Sequence, residues 1–379
     1  MQIQKVQFKN FRSLTDDIVF PGHGTNVIWG DNAQGKTNFL ELIWMFSGNR
    51  SFRGSKDEEF IRFGERTSEI EAVFYSEDRE QTAQITYYND ASVKIKKEIK
   101  INDIKKRASS SLTEKFNMIV FSPEHLYLVK GSAEKRRKFL DDALCNWKTS
   151  LDNLFTQYNK TLVQRNALLK DIYKHNELKA TVPIWDENLS HLGSMVIRQR
   201  ILYLEYLSKF ASLYHLGISD NKEALTLDYH SDIKIQRTDS CEEIKQKLLT
   251  SLTENRNIDY KLGITGIGPH RDDIDICING KSVRKYGSQG QQRSVVLSLK
   301  LAEASVLKEK SGEMPIILLD DVLSELDIKR QNFLLKKINN YQVFISSCEK
   351  TTKNRADETK LFYICKGTIS EESVNNNNR

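Results

Sequence analysis

Apolar residues keep two different rhythms along this chain, and the change from one to the other divides it. Up to about residue 125 they come in short runs or alternate with polar residues, the signature of strands. Residues 1–11 predict a first strand with Val6 and Phe8 on one face, and Asn26-Val27-Ile28-Trp29 predicts a short buried one. Asn38 to Phe46 predicts a helix with a broad apolar face. Gly48 to Gly64 is polar, carries Arg50, Arg53, Lys56 and Arg62, and predicts a surface loop. Three strands are expected over Ile70 to Tyr75, Gln84 to Tyr88 and Val93 to Ile101. In the last, Val93, Ile95, Ile99 and Ile101 alternate with Lys94, Lys96, Glu98 and Lys100, the period of a half-exposed antiparallel strand. Lys97 is the one polar residue on its apolar side. Phe116 to Phe121 predicts a more buried strand, which Ser122-Pro123 stops.

The second rhythm starts at Ser132, after which no glycine or proline occurs until Val182 has passed. Leu140, Leu144, Trp147, Leu151, Leu154, Tyr158 and Leu162 recur three or four residues apart, a helix stripe. Pro183 interrupts it, and a second stripe runs through Leu189, Leu192, Val196, Tyr203, Leu207 and Phe210. Together they predict an antiparallel helical lobe whose stripes are explained by core packing. Strand character returns at Leu225 to Tyr229, followed by a helix over Glu242 to Thr253. Ile274 to Gly280 alternates and ends in Asn279-Gly280, a hairpin signal. A helix from Gly287 to about Lys310, a buried strand at Pro315 to Leu319, a helix over Gln331 to Ile338 and a buried strand at Val343 to Ile345 complete the pattern. The tail, with Asn375 to Asn378, reads as polar and frayed. No internal repeat is present. The expected architecture is α/β: a phosphate-loop head with a mixed sheet, built from residues 1–125 and 258–379, and a mainly helical lobe inserted over 126–257.

Composition narrows the class. With 379 residues, 28% charged and 39% hydrophobic, the chain reads as an ordinary globular protein of about two domains. The net charge of +6 is compatible with nucleic acid without demanding it, since local clustering matters more. Five scattered cysteines without a C-x-x-C pair point to reduced thiols, with no disulfide framework or zinc site. The longest apolar run, Met314 to Leu319, is far below the ~20 residues of a membrane span, and no secretion signal is visible. A cytoplasmic protein without a membrane partner is expected.

Chemistry concentrates in three places. Gly30-Asp31-Asn32-Ala33-Gln34-Gly35-Lys36-Thr37 fits the phosphate-loop pattern G-x-x-x-x-G-K-[ST], between a predicted strand and a predicted helix. Loop N–H groups and the helix N-terminus would form an anion site. Lys36 would neutralise β- and γ-phosphates, and the Thr37 hydroxyl would ligate Mg²⁺. The second place is Ile316 to Asp321, an apolar strand that delivers Asp320 to the Mg²⁺ and Asp321 to the attacking water. Paired acids also occur as helix N-caps, and Asp321 could cap the segment that follows, but the phosphate loop upstream favours the nucleotide role. The third is Gly287-Ser288-Gln289-Gly290-Gln291-Gln292-Arg293, which opens the helix before that strand. Ser288 reads either as an ordinary N-cap or as a second anion receptor, one that clasps the nucleotide of a neighbouring copy.

In these blocks the chain resembles the RecF family, bacterial recombinational-repair ATPases related to the ABC-type heads of SMC proteins. The resemblance covers most of the length. It is carried by Lys9-Asn10-Phe11-Arg12, Asn32 to Asn38, Arg50-Ser51-Phe52-Arg53, Ser122-Pro123-Glu124, Leu128 to Ser132 and Arg136 to Asp141. It continues through Trp185-Asp186-Glu187, Gly268 to Asp273, Ser288 to Arg293 and Leu318 to Asp327. It implies an ABC-type head and an ATP-dependent homodimer that sandwiches two nucleotides and closes on DNA. Slow, DNA-stimulated hydrolysis is implied too, as is work with RecO and RecR in loading RecA at gapped or arrested DNA. Gly30 to Thr37 with Asn38 would hold ATP, Asp320 the Mg²⁺ shell and Asp321 the water; Ser288 with Gln291 would act on the partner's γ-phosphate. Arg12 resembles the arginine beside the nucleotide in related heads.

Two departures stand out. The acid after Asp320 is aspartate rather than glutamate, and Ser346-Ser347 follows the strand at Val343 to Ile345 where related heads carry a histidine. The loop after Phe121 offers Glu124 but no glutamine. For DNA, Arg50, Arg53, Arg136 and Arg137, with Lys281, Arg284 and Lys285, are candidates, although basic runs are most often solvated faces. Contacts would go to phosphates of double-stranded DNA and of single/double-strand junctions, with little base reading. His270 reads as structural. Rival readings are a head coupled to a nuclease, a transporter ATPase, and an ATP-gated DNA-binding scaffold without significant hydrolysis.

Overall fold

The computed structural model of the chain describes residues 1–89, 95–350 and 359–372. Val93 and Lys94 of the third expected strand, and the Asn375 to Asn378 tail, lie outside the described residues. From the N-terminus the elements are β1 (Gln2–Lys9), β2 (Asp17–Val19), β3 (Thr25–Trp29), α1 (Lys36–Met45), β4 (Thr67–Ser76), β5 (Arg79–Tyr88), β6 (Lys96–Ile101), β7 (Ile104–Lys106), α2 (Ser110–Thr113) and β8 (Met118–Phe121). Next come α3 (Ala133–Trp147), α4 (Leu151–Asp171), α5 (Val182–Ile218), β9 (Leu225–His230), α6 (Cys241–Leu262), β10 (Asp273–Ile278), β11 (Lys281–Ser282) and α7 (Val283–Tyr286). The chain closes with α8 (Gln289–Ser311), β12 (Ile316–Asp320), α9 (Ile328–Lys337), β13 (Val343–Ser347), β14 (Thr359–Cys365) and β15 (Thr368–Glu372). Packing divides it into Met1–Leu126 with Glu303–Arg379, and Tyr127–Ala302; the boundary falls inside α8.

The first unit holds two six-stranded sheets. One is antiparallel, in the order β2-β1-β4-β5-β6-β7; the other is mixed, β15-β14-β3-β13-β12-β8, with only β15 antiparallel. The burial of each follows its sequence pattern. β4 alternates buried and part-exposed residues, whereas every residue of β8 and β12 is buried, as central parallel strands require. α1 is apolar over almost its whole circumference because it shares one core with both sheets. Phe39, Leu40 and Ile43 cluster with Phe8, Ile70 and Phe74 on one side and with Ile28, Leu318 and Phe344 on the other.

Lys97, out of place on the apolar face of β6, lies opposite Tyr87 with its ammonium 5.6 Å from that ring, and burial lowers its pKa. The Gly48–Gly64 segment is not a plain surface loop. Phe60 is fully buried and stacks on Phe11 with 5.6 Å between ring centroids, so the segment is pinned into the core. β14 and β15 did not stand out in the sequence pattern, yet β14 is the direct neighbour of β3.

The second unit differs from the expected lobe. Its helices α3 to α6 are present, with Pro183 in the first turn of α5 where its missing N–H costs nothing. It also owns a three-stranded antiparallel sheet, β11-β10-β9. Residues 258–302, expected with the head, therefore belong to this unit: β10 pairs along its whole length with β9, and Arg136 of α3 forms a bidentate pair with Asp273 at 2.7 Å. The Asn279-Gly280 hairpin turn is as expected, with φ of 48° and 74°.

Arginines tie this unit together. Arg165, fully buried on α4, donates to Asp186 of α5 and Asp259 of α6, each at 2.8 Å, and to Thr265 at 2.7 Å. Arg200 of α5 pairs with Asp141 of α3 through two 2.8 Å bonds and donates to Pro269 O at 2.6 Å. His270 has a structural place: its Nδ1 faces the Tyr158 hydroxyl at 2.7 Å and its Nε2 faces Thr265 O at 3.0 Å. Since a carbonyl only accepts, the ring proton sits on Nε2 and the tyrosine donates to Nδ1. Burial pushes this imidazole down to about 4.

Candidate functional site

The phosphate loop turns between β3 and α1 at the carboxyl ends of the parallel strands, where open α/β sheets bind ligands. Gly30 (φ 150°) cannot be replaced there, because a Cβ would stand 2.3 Å from Ile364 O of β14. Ala33 and Gly35 also take positive φ, 63° and 113°, the kind of backbone from which anion-binding nests are built. The strand pair missed in the sequence supports this shape. At the β14–β15 turn, Lys366 N–H donates to Gln34 Oε1 at 2.6 Å and Gly367 N–H to Gln34 O at 3.0 Å.

Within the loop, the Lys36 ammonium donates to Gly30 O at 2.5 Å and Asp31 O at 2.8 Å. Asp31, Asn32 and Ala33 are exposed at the loop's crest. Thr37 Oγ1 donates to Asp320 Oδ1 at 2.9 Å, which joins residues 283 positions apart. Ser346 Oγ, at the end of β13, donates to the same oxygen at 2.8 Å. Burial raises the Asp320 pKa, and the Ser346 and Thr37 hydrogen bonds oppose that rise. Asp321, by contrast, is exposed, with φ of 50° and its N–H on Ser346 Oγ at 2.9 Å. The two acids thus point to different surroundings. Asp321 also accepts from the Ser324 hydroxyl at 3.2 Å.

Arg12 is fixed on the flank of α1. Its Nε lies 2.7 Å from the fully buried Glu41, its guanidinium sits 5.2 Å from the Phe60 ring, and it bonds Ser55. Arg53 reaches the same helix through Asn38 Oδ1 at 3.1 Å, and the Asn38 amide donates to Ser13 at 2.8 Å. Glu41 and Cys348 were given no role in the sequence, and Ser346 was noted only as standing where related heads carry a histidine. Glu41 is an acid on an otherwise apolar helix face, a signal that could have paired it with Arg12. Cys348, just after β13, has its Sγ 3.0 Å from Asn32 Oδ1 and 3.5 Å from Lys36 Nζ, and nothing local foretells that. In the loop after β8, Ser122 N–H donates to His125 Nδ1 at 3.0 Å.

Ser288 and Gln291 lie in the second unit. Ser288 is an N-cap: Gln291 N–H donates to its Oγ at 3.2 Å, and its own N–H donates to Gln291 Oε1 at 2.8 Å. The hydroxyl accepts in this arrangement and keeps its proton for another acceptor. Gln291 has both ends of its amide engaged, since Nε2 donates to Glu223 at 2.8 Å, and in this arrangement it caps the turn.

The DNA candidates separate as well. Arg136 is buried, paired with Asp273, and donates to Leu128 O, Val129 O and Gly131 O, so it is not a surface contact. Arg137 is tethered to Asp272 O at 2.7 Å, while Arg50 and Arg53 are exposed. Among the described residues no three His, Cys, Asp or Glu side chains converge as a metal cluster, and no helix is long and apolar enough to cross a membrane.

The RecF/RecN/SMC N terminal domain family matches residues 2–371. The DNA replication and repair protein RecF of Agathobacter rectalis is 40% identical over 373 residues, 97% of this chain and 99% of the relative. The chain belongs to the RecF family. The RecF of Ruminiclostridium cellulolyticum is 39% identical over 351 residues, 92% of this chain and 93% of that protein. A solved structure of the recombination mediator protein RecF-ATP in the RecFOR pathway superposes with a TM-score of 0.89 at 35% identity, covering 98% of each chain. The Smc head domain of Pyrococcus furiosus, with an extended coiled coil and bound to the C-terminal domain of ScpA, shares the fold at a TM-score of 0.56 and 15% identity, over 98% of this chain and 96% of that one. The expected ABC-type α/β head with its mixed sheet and inserted helical segment is thus the family's fold.

Proposed function

We propose that this chain is a DNA replication and repair ATPase of the RecFOR pathway, working as an ATP-gated dimer on DNA. The observation that carries the reading is the meeting of the Thr37 hydroxyl with the Asp320 carboxylate beside a loop with positive φ at Gly30, Ala33 and Gly35. A hydroxyl and a buried carboxylate are hard oxygen donors, which fits Mg²⁺ together with its retained waters. Gly30 to Thr37 would hold the phosphates, with Lys36 already oriented by two carbonyls. When bound, Mg²⁺ supplies charge neutralisation at the β- and γ-phosphate oxygens.

The chain's own residues do the rest. Asp321, exposed and held in a left-handed conformation by Ser346, orients water and accepts its proton. Ser288, whose proton is free while its oxygen caps α8, donates to the γ-phosphate held by a second copy. Hydrolysis is slow and serves as a switch. With RecO and RecR the dimer assists RecA loading at gapped or arrested DNA. Arg50 and Arg53 contribute phosphate contacts, so binding weakens with salt and reads few bases.

Turnover and sedimentation of the wild type and Asp321→Asn, with and without gapped DNA, test this reading. The variant is expected to form ATP-dependent dimers while losing hydrolysis roughly 100-fold or more, the usual worth of a positioned general base. Equal turnover in the two proteins would reject the role of Asp321. Dimers with no turnover in either would favour the ATP-gated scaffold.

A further inference from the structure

The turn that opens α8 is held from below by a polar chain within the second unit. His215, near the end of α5, is fully buried, and its Nε2 lies 2.9 Å from Glu223 Oε2. A carboxylate only accepts, so this nitrogen carries the proton. The other oxygen, Glu223 Oε1, accepts from Gln291 Nε2 at 2.8 Å. Gln291 Oε1 in turn accepts from the Ser288 N–H at 2.8 Å. Three side chains thus connect the end of a 37-residue helix to the backbone of Ser288.

Glu223 is itself held rigidly. Its N–H lies 3.3 Å from Ser219 Oγ, and that hydroxyl donates to His215 O at 2.7 Å. The next residue, Ala224, exchanges two bonds with Asn279 of the hairpin turn, at 2.8 and 2.9 Å. A carboxylate on so fixed a backbone defines where the Gln291 amide sits, and a charged acceptor makes that bond about twice as strong as a neutral one. Without it the amide can rotate, and the Ser288 N–H loses its acceptor.

We infer that Glu223 is a positioning residue for Ser288. It acts through Gln291 to set the Ser-Gln-Gly turn for the nucleotide of a second copy, and it leaves the phosphate loop of its own copy untouched. The inference rests on the proposed ATP-gated dimer for its functional consequence, but not for the positioning.

The test compares full-length wild type, Glu223→Ala and Glu223→Gln. Glu223→Gln keeps an oxygen toward Gln291; Glu223→Ala does not. Three readouts are taken: amide hydrogen exchange of the peptide spanning Ser288 to Arg293 without nucleotide, affinity for ATP, and the ATP-dependent dimerisation constant from sedimentation. In Glu223→Ala, exchange at the turn should accelerate and dimerisation weaken, each by roughly tenfold or more, the worth of a hydrogen bond to a charged group. ATP affinity of the monomer, titrated at protein concentrations too low for dimers, should stay within about twofold, because the loop's own bonds are unchanged, and Glu223→Gln should recover most of both losses. Unchanged exchange at the turn overturns the positioning. Faster exchange with unchanged dimerisation overturns its role in pairing, and equal losses in both variants with reduced ATP affinity reduce Glu223 to general stability. A wild type that binds ATP without dimerising sinks the dimer reading instead, while the exchange data still decide the positioning.

Discussion

Asp320 in the first unit and Asp186 in the second are both buried aspartates tied to distant parts of the chain, yet their surroundings differ in kind. Asp186 lies against two arginines, Arg165 and Arg256, at 2.8 and 2.6 Å. Asp320 has two hydroxyls, from Thr37 and Ser346, both on Oδ1. Hydroxyls satisfy hydrogen bonding without supplying a countercharge, and burial accordingly raises the Asp320 pKa. A buried carboxylate with its cation built in holds a fold together, whereas Asp320 has only neutral donors, which leaves it open to the Mg²⁺ of the proposed reading.

Removing the built-in cation should have the largest effect. Arg165→Ala leaves Asp259 without its arginine and Asp186 with Arg256 alone, and should cost about 3–5 kcal/mol in denaturant unfolding, with ATP affinity of the folded protein unchanged. An Arg165→Ala protein as stable as the wild type would erase the contrast. Lys36→Ala should reverse the pattern, with ATP binding down roughly 100-fold in calorimetric titration and stability altered by less than about 1 kcal/mol. ATP-dependent dimers should disappear with it.

A third prediction sharpens the contrast through pH. The neutral, buried His270 titrates at about 4 in the folded protein, whereas an unfolded histidine titrates near 6.5. Its contribution is therefore complete above about pH 6.5 and is lost as pH falls toward 4, since the unfolded chain takes the proton first. At pH 5 the loss is roughly 2 kcal/mol, and His270→Gln should flatten that part of the stability profile between pH 7 and 5. An unchanged slope would mean that the imidazole titrates alike in the folded and unfolded chain. The smallest effect is expected for the exposed Arg53. Arg53→Ala should weaken DNA binding modestly and reduce the salt slope by about one, measured by fluorescence anisotropy at several salt concentrations.

Much of the first unit was legible because its strands and loop obey local rules. The parallel strands β8, β12 and β13 read as apolar runs, and the phosphate loop needs glycines at positions where a Cβ would collide, as at Gly30. The Ser-Gln-Gly turn was found too, with its capping chemistry among the stated alternatives. What was misread shares one cause. Arg136 looks like any member of a basic run until β10 brings Asp273 to it, 137 residues later. Nothing local announces that Gln291 is tied to Glu223, 68 residues away. The boundary at 258 moved because β9 and β10, modest strands on either side of α6, pair with each other.

Local pattern thus specified the phosphate loop, the acidic strand end, the helical stripes and the α/β class, because each depends on residues within a few positions of one another. Which charged groups are spent inside the fold and which remain for a ligand depended on partners tens to hundreds of residues away. Folding pairs a buried charge wherever it can, since an unpaired one costs several kcal/mol, and the identity of that partner exists only once the chain has closed on itself.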